Sequence, residues 1–433
     1  MAEGISTEGR SLESGKSRSG RPPDLSGNRN GPQVLVVGAG PVGLAAALDL
    51  ARREIPVLVM DRRHEPAPGS RAIAISRRSL ELFARLGVAD RILASGIVWN
   101  GGRSFYRGRQ ISSFSIPEHA DSQHPGLVNL QQPILEQYLT DACQGHPLIE
   151  MRWATTVQDA VTRDDSVDVR VASGHGSYII NIPWLIAADG ARSTIRDALK
   201  LHFRGATYPN MFVIVDIRMK SDRPAERLCW FDPPAFPQRT VLLHKQPHDI
   251  WRLDYQVSAE ICIEDAVRPE NVIPLVRAHL EWIGERADWQ TVWISTYRAH
   301  ALTLDGYRHG RVLFAGDSAH LLPIFGVRGM NSGLVDAANL AWKLAHVIKG
   351  DAHHSLLDSY GVEQREAFEQ HRAAAHLSTL FMTPGTAGSI LVRNAVLELS
   401  FVDDRFKTLA DPRYSAPVDY HHGRLVAAPG SKE

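Results

Sequence analysis

Three glycine-bearing segments of this 433-residue chain have the composition of anion sites. In the first, Gly38-Ala39-Gly40-Pro41-Val42-Gly43 follows an apolar run and opens a stretch with helical spacing. In such a pattern Gly38 permits the tight turn, Gly40 lets backbone approach a pyrophosphate, and Gly43 lets the helix pack closely on its strand. The amides of the helix N-terminus then face the phosphates. Pro41 suits the first helical turn, where its missing N–H costs nothing. Asp61 stands eighteen residues after Gly43, where an acid accepts hydrogen bonds from a ribose. The glycines alone also fit a plain βα turn, but strand, helix and acid in register predict a dinucleotide site, without choosing between NAD and FAD.

The second segment, Asp189 to Arg196 (DGARSTIR), directly follows the apolar run 184–188. By itself it reads as a turn and a helix start, with Asp189 or Ser193 as a natural N-cap. The third begins at Gly316-Asp317-Ser318-Ala319-His320, again after an apolar run (312–315), and continues through Gly326, Gly329 and Asn331 into a helical stretch at 332–348. A long glycine-interrupted loop ending at a helix N-terminus favours negative charge there. Cys143, Cys229 and Cys262 are scattered, which excludes a disulfide framework, a thiol zinc site and a dithiol redox pair. Redox chemistry must therefore come from a bound cofactor. His353-His354 and His421-His422 lack carboxylates or cysteines at ligand spacing and read as solvated surface.

The elements that must position these residues follow from periodicity. The length implies two or three domains. At 44% hydrophobic and 22% charged, the composition is that of an ordinary globular protein. Lys plus Arg and Asp plus Glu both number 48, so no net field draws the chain to nucleic acid or anionic lipid. The Arg-rich stretches 52–63 and 71–78 are explained by phosphate contact or a solvated face. No run of eighteen apolar residues exists, and residues 1–31 hold no apolar signal core and read as a disordered tail, so a cytoplasmic protein is expected. A strand at 33–37, a helix over 41–53 and a strand at 57–60 form a βαβ unit. Helices are expected at 76–86 and 132–143, short strands at 153–161, 166–172 and 177–182, and buried strands at 184–188 and 312–315. Strands dominate 211–256. Along 250–257, Trp251, Leu253 and Tyr255 share one face and Arg252, Asp254 and Gln256 the other. One face should roof a substrate cavity; alternation does not choose it, and Arg252 and Tyr255 are the residues proposed for substrate.

GAGPVG (38–43), DGARSTIR (189–196) and GDSAHLLPIFGVRGMNSG (316–333), with the following DAANLAWKLA (336–345), resemble the FAD-dependent aromatic hydroxylases of the para-hydroxybenzoate hydroxylase type. The resemblance covers about residues 32–350. QPHDIWRLDYQ (246–256), RPENVIP (268–274) and the RGMNSG loop are most similar to the phenol and hydroxyphenylpropionate hydroxylase branch. It implies an α/β fold: a Rossmann-type FAD-binding domain with a parallel sheet (32–98, 127–206 and 296–352), a mostly antiparallel β-sheet substrate domain (99–126 and 207–295), and a helical segment with a polar tail (353–433). It implies an NAD(P)H-dependent monooxygenase that hydroxylates a phenolic or other electron-rich aromatic through a C4a-hydroperoxyflavin, with FAD bound, NADPH or NADH as transient reductant, dioxygen as co-substrate, and no metal.

The roles implied by the resemblance fall on particular residues. Gly38, Gly40 and Gly43 would hold the FAD pyrophosphate, Asp61 the adenosine ribose, and Arg62 the region beside it. Arg71 and Gln132 match cofactor-side residues, and Val157 offers backbone to the adenine. Asp317 matches the acid at the ribityl chain, and Gly326, Gly329, Met330 and Asn331 would wrap the isoalloxazine edge. Asp189 and Arg192 match a motif serving both FAD and the passing nicotinamide, and His320 reads as structural. No residue is assigned as a catalytic acid, base or nucleophile, because the flavin carries the chemistry. Ile324 departs from the family, where a second proline often follows Pro323, and the chain is too short for the thioredoxin-like domain of larger relatives. Small molecules are the expected partners, without nucleic acid or membrane; a homodimer is allowed. A degenerate flavin-binding member kept for interaction and an NAD-dependent dehydrogenase remain open, whereas a flavin halogenase lacks its W-x-W-x-I-P segment and a disulfide reductase its cysteines.

Overall fold

The computed structural model describes residues 31–409 apart from 67–68, 70–71, 117–121, 175 and 258–260. Arg71, His421-His422, the polar tail and nearly all of 1–31 lie outside the described residues.

The strand Val34–Val37 is buried along its whole length because parallel strands flank it on both sides, Val57–Met60 and Trp184–Ala187. The sheet extends to six strands, with Ile149–Arg152 at one edge and Val312–Phe314 followed by Arg308–His309 at the other. The crossover helix Pro41–Ala51 is apolar nearly all round and buried. Its Val42 lies where a Cβ on either Gly316 or Gly333 would meet it, at 3.0 and 2.6 Å, so the first and third glycine segments pack on one another. The helix expected at 332–348 starts earlier, at Gly329, and ends at Lys349, where Gly350 caps it with φ +80°. Gly329, Met330 and Asn331 are thus its first turn.

The second sheet has eight strands, in the order 320–321, 289–303, 204–219, 250–257, 240–245, 227–231, 101–106, 109–115. All neighbours are antiparallel except 227–231 with 101–106. The long strands Arg204–Met219 and Trp289–Thr303 run through the boundaries expected near 206 and 295, and both belong to the eight-stranded sheet along their whole length.

The helix Pro269–Trp282 is not expected from the sequence; Pro274 inside it disguises the helical period. It packs Val272, Val276 and Leu280 against Trp251, Leu253, Tyr255 and Val257. Because successive side chains of a strand alternate, this sends Arg252, Asp254 and Gln256 to the opposite face. Tyr255 therefore belongs to the core beneath the sheet, with its ring 4.6 Å from that of Phe236, which corrects its assignment to substrate. Helices Leu356–Met382 and Ala387–Leu399 follow. They are tied to the sheet where Thr240 Oγ1 donates to Met382 O (2.7 Å) and Arg393 to Gln238 O (2.9 Å). Among the described residues no helix is long and apolar enough to cross a membrane.

Candidate functional site

A cavity of about 1070 Å³ is lined from both sheets, and all three glycine segments reach it. At its first end, Gly38 adopts φ +109° and a Cβ there would lie 2.3 Å from Ala188 O. A Cβ on Gly43 would lie 2.0 Å from Gly38 O, so this glycine serves helix packing and does not line the cavity. Gly40 differs: no heavy atom lies within 4 Å of its Cβ position. It is the N-cap of the helix, no side chain caps that end, and no acid occupies the first turn. The helix amides therefore open on the cavity, the donor set a diphosphate requires.

Asp61 lies beside that loop. Its Oδ2 accepts from Ala39 N (2.7 Å), and Arg63 donates to both its oxygens at 2.8–3.1 Å. Burial works to raise its pKa, but Arg63 and the Ala39 amide together hold it below the ordinary value. Arg63 also reaches Glu136 (3.0 Å), whose other oxygen accepts from Gln132 Nε2 (2.8 Å). Arg62 and Val157 line the same arm, and Val157 also belongs to the hydrophobic core beside it.

The second segment lines the middle. Ser193 caps the short helix Thr194–Ala198, and Asp189 Oδ2 accepts from Ile195 N (3.3 Å). Burial raises the Asp189 pKa, and its Oδ1 is buried without a hydrogen-bond partner among the described residues. Arg192 is exposed on the cavity rim. Arg196 donates to Ala191 O (2.8 Å) and Ser318 O (3.4 Å), tying the second segment to the third.

In the third segment Asp317 is exposed to the cavity between buried Gly316 and Ser318. The loop is pinned from beneath: Asp336 Oδ2 accepts from Gly316 N (2.8 Å) and pairs with His320 Nε2 (2.7 Å). Burial alone would lower the His320 pKa, yet the Asp336 carboxylate outweighs it and the net shift is upward. A raised histidine stabilises the fold fully below its unfolded pKa of about 6.5 and loses that contribution as pH rises through the folded value. Thermal unfolding is accordingly expected to come earlier as pH is raised above neutrality, and His320→Gln to flatten the dependence; an unchanged slope would show that titration of His320 does not contribute to it.

Asn331 lines the cavity but its side chain is engaged elsewhere. It accepts from Ser76 N (2.9 Å) and Ser79 Oγ (2.7 Å) and donates to Ala74 O (3.0 Å) and Val327 O (2.8 Å). Gly326, Gly329 and Met330 line the cavity beside it, and Val327 holds φ +62°, strained for a β-branched residue.

At the far end the eight-stranded sheet presents a polar row, Asp216–Arg252–His244–Arg227, from four neighbouring strands. Arg252 grips Asp216 with two hydrogen bonds of 2.8 and 2.7 Å. Burial pushes the His244 pKa down to about 3, helped by Arg227 and Arg252. Arg227, His244, Arg252 and Asp254 line the cavity with Trp99, Ile214, Leu242 and Phe325, a polar wall in an apolar room. Arg63, Glu136, Arg196, Arg227, His244 and Asp254 are functional candidates that sequence reasoning left unassigned. Glu136 stands one helical turn after Gln132 and Asp254 shares a face with Arg252; for Arg227 and His244 the chain carries no signal, since only strand register aligns them.

Residues 32–375 match a family model described as an FAD binding domain. The chain is similar to 6-methylpretetramide 4-monooxygenase of Streptomyces rimosus, at 34% identity over 77% of this chain and 59% of that protein. It is also similar to 3-(3-hydroxy-phenyl)propionate/3-hydroxycinnamic acid hydroxylase of Comamonas testosteroni, at 29% identity over 93% of this chain and 68% of that one. Among solved structures, aklavinone-11 hydroxylase in a ternary complex with FAD and aklavinone superposes with a TM-score of 0.69 at 28% identity, over 82% of this chain and 69% of that chain. The chain thus spans under two thirds of the Streptomyces relative and slightly more of the others.

Proposed function

We propose, because this chain belongs to the FAD binding domain family, that it is an NAD(P)H-dependent FAD monooxygenase hydroxylating a phenolic or other electron-rich aromatic substrate. The observation that carries this is the convergence of Gly40, Asp189 and Asp317 on one cavity that continues to the polar face of the eight-stranded sheet. The similar proteins are named for hydroxylation of aromatic compounds, which supports the reading.

Bound FAD, reduced by NADPH or NADH, supplies the activation of dioxygen and the transfer of one oxygen atom to the ring. The chain's own residues bind and orient. Gly38 and Gly40 bring main chain to the pyrophosphate while Gly43 seats the helix; Asp61, with Arg62 beside it, takes the adenosine ribose, and Gln132 and the Val157 backbone hold the adenosine end. Asp317 accepts from the ribityl hydroxyls. Gly329, Met330 and Asn331, with Gly326 beside them, would hold the flavin edge at a helix N-terminus, where negative charge is favoured. Asp189 and Arg192 meet the nicotinamide donor, and Arg252 lies on the substrate wall. Apolar Ile324 and Phe325 help exclude water between the flavin and that wall. We assign the flavin to the unit built on the six-stranded sheet and the aromatic to the eight-stranded one. The same reading places the enzyme in the cytoplasm, with small molecules as partners, no nucleic acid or membrane, and a homodimer as its allowed assembly.

The purified protein is expected to be yellow and to oxidise NADPH or NADH faster with a panel of phenols, with one atom of labelled dioxygen found in the product by mass spectrometry. A colourless protein that takes up no FAD, or a panel that neither stimulates oxidation nor gains oxygen, would overturn it.

A further inference from the structure

Asp254 is the unclaimed acid of the cavity. It is 6% exposed, it lines the cavity, and its carboxyl oxygens accept no hydrogen bond from any described residue. Its cross-strand neighbours are apolar, Ile214 on one side and Leu242 on the other. The charged and titratable groups around it are Arg252 on its own strand, Asp216 and Tyr297 on the two strands to one side, and His244 and Arg227 on the two to the other. Arg252 is engaged by Asp216, and His244 is neutral. A buried carboxyl with nothing to accept from is costly unless a ligand supplies the donor.

We propose that Asp254 accepts the hydrogen bond of an aromatic substrate's hydroxyl group and takes up its proton, so that the site selects uncharged hydroxyarenes over aromatic carboxylates. This rests on the hydroxylase reading above. In the transfer the substrate O–H bond breaks, an O–H bond forms on the Asp254 carboxylate, and the electron pair stays on the substrate oxygen, where it enriches the ring for attack by an electrophilic oxygen. Burial pushes the Asp254 pKa up to about 7, with Asp216 adding to the rise and Arg252 and Arg227 opposing it. The group therefore has both forms available near neutrality, as a general base requires. A carboxylate on the ligand would set like charges together in a poorly solvated site.

The test is binding to the flavin-loaded protein, read from perturbation of its flavin absorbance, with phenol and naphthol against benzoate and naphthoate across neutrality. The hydroxyarenes are expected to bind about tenfold more tightly above the Asp254 transition than below it, and the carboxylates more weakly. In Asp254→Asn both dependences should vanish and the carboxylates should gain affinity. Should that variant fail to keep its flavin, the opposite pH slopes of the two ligand classes in the unaltered protein decide the same question. A flat pH profile, an unchanged profile in Asp254→Asn, or failure of both hydroxyarenes to bind would overturn the inference. Because binding needs no turnover, a protein that shows these slopes yet never oxidises NADPH or NADH would defeat only the hydroxylase reading.

Discussion

Gly40→Ala is expected to fold as well as the unaltered protein and to lose affinity for FAD, whereas Gly43→Ala, three residues along the same loop, is expected not to reach the native fold. The difference lies in what each new methyl group meets. At Gly43 the Cβ would sit 2.0 Å from the carbonyl oxygen of Gly38 and 3.2 Å from Val36. Both neighbours belong to the central strand and its turn, so relief requires the helix to lift from the sheet. Overpacking of this kind costs about 3 kcal/mol or more when backbone must move. At Gly40 no atom lies within 4 Å and φ is −82°, a conformation any residue adopts. The methyl group would instead project into the space where the pyrophosphate must approach the helix amides. A loss of about ten- to a hundredfold in FAD affinity is expected, equivalent to about 1–3 kcal/mol of steric conflict. Unfolding midpoints and flavin titration of the apoproteins separate the two effects. Equal stability of both variants would remove the packing role of Gly43, and undiminished FAD binding by Gly40→Ala would remove the pyrophosphate from this loop.

Asp216→Ala is expected to destabilise the protein by about 3–5 kcal/mol, the range for breaking a buried ion pair and leaving one charge behind. The Arg252 side chain is 2% exposed and that of Asp216 10%. Without Asp216, Arg252 would remain buried in the sheet beside Arg227, with Asp254 among the groups left to offset it. Removing Asp216 also removes a negative charge that raises the Asp254 pKa, so ionisation of Asp254 should move to lower pH and return part of the lost stability. Replacing both partners, Asp216→Leu with Arg252→Met, should cost far less than Asp216→Ala, because no charge is then stranded. Urea unfolding of the single and double variants decides this. A single-variant cost below about 1 kcal/mol would mean that water or another group already neutralises Arg252.

Most of the glycine-rich end of the cavity was legible in the residues because its geometry is local. The spacing of Gly38, Gly40 and Gly43, the Pro41 start and the acid at Asp61 specify a turn, a helix end and a strand end within thirty residues. Strand and helix positions around them follow the periodicity to within a few residues. The hydrogen bonding of the Asn331 side chain was not legible, since three of its four bonds join Ala74–Ser79 to the start of a helix about 250 positions away. Nor was Arg63, which bridges Asp61 and Glu136 across 73 residues. The helix Pro269–Trp282 was hidden by Pro274, and with it the orientation of the strand above.

What the chain determined alone was a run of main-chain amides able to face an anion, because turns and helix starts answer to nearest neighbours. What only the tertiary structure decided was the character of the cavity wall on the eight-stranded sheet. A strand with alternating sides offers either face equally until something packs beneath it. Here Val272, Val276 and Leu280 cover the side carrying Trp251, Leu253 and Tyr255, and that burial turns Arg252 and Asp254 toward the cavity.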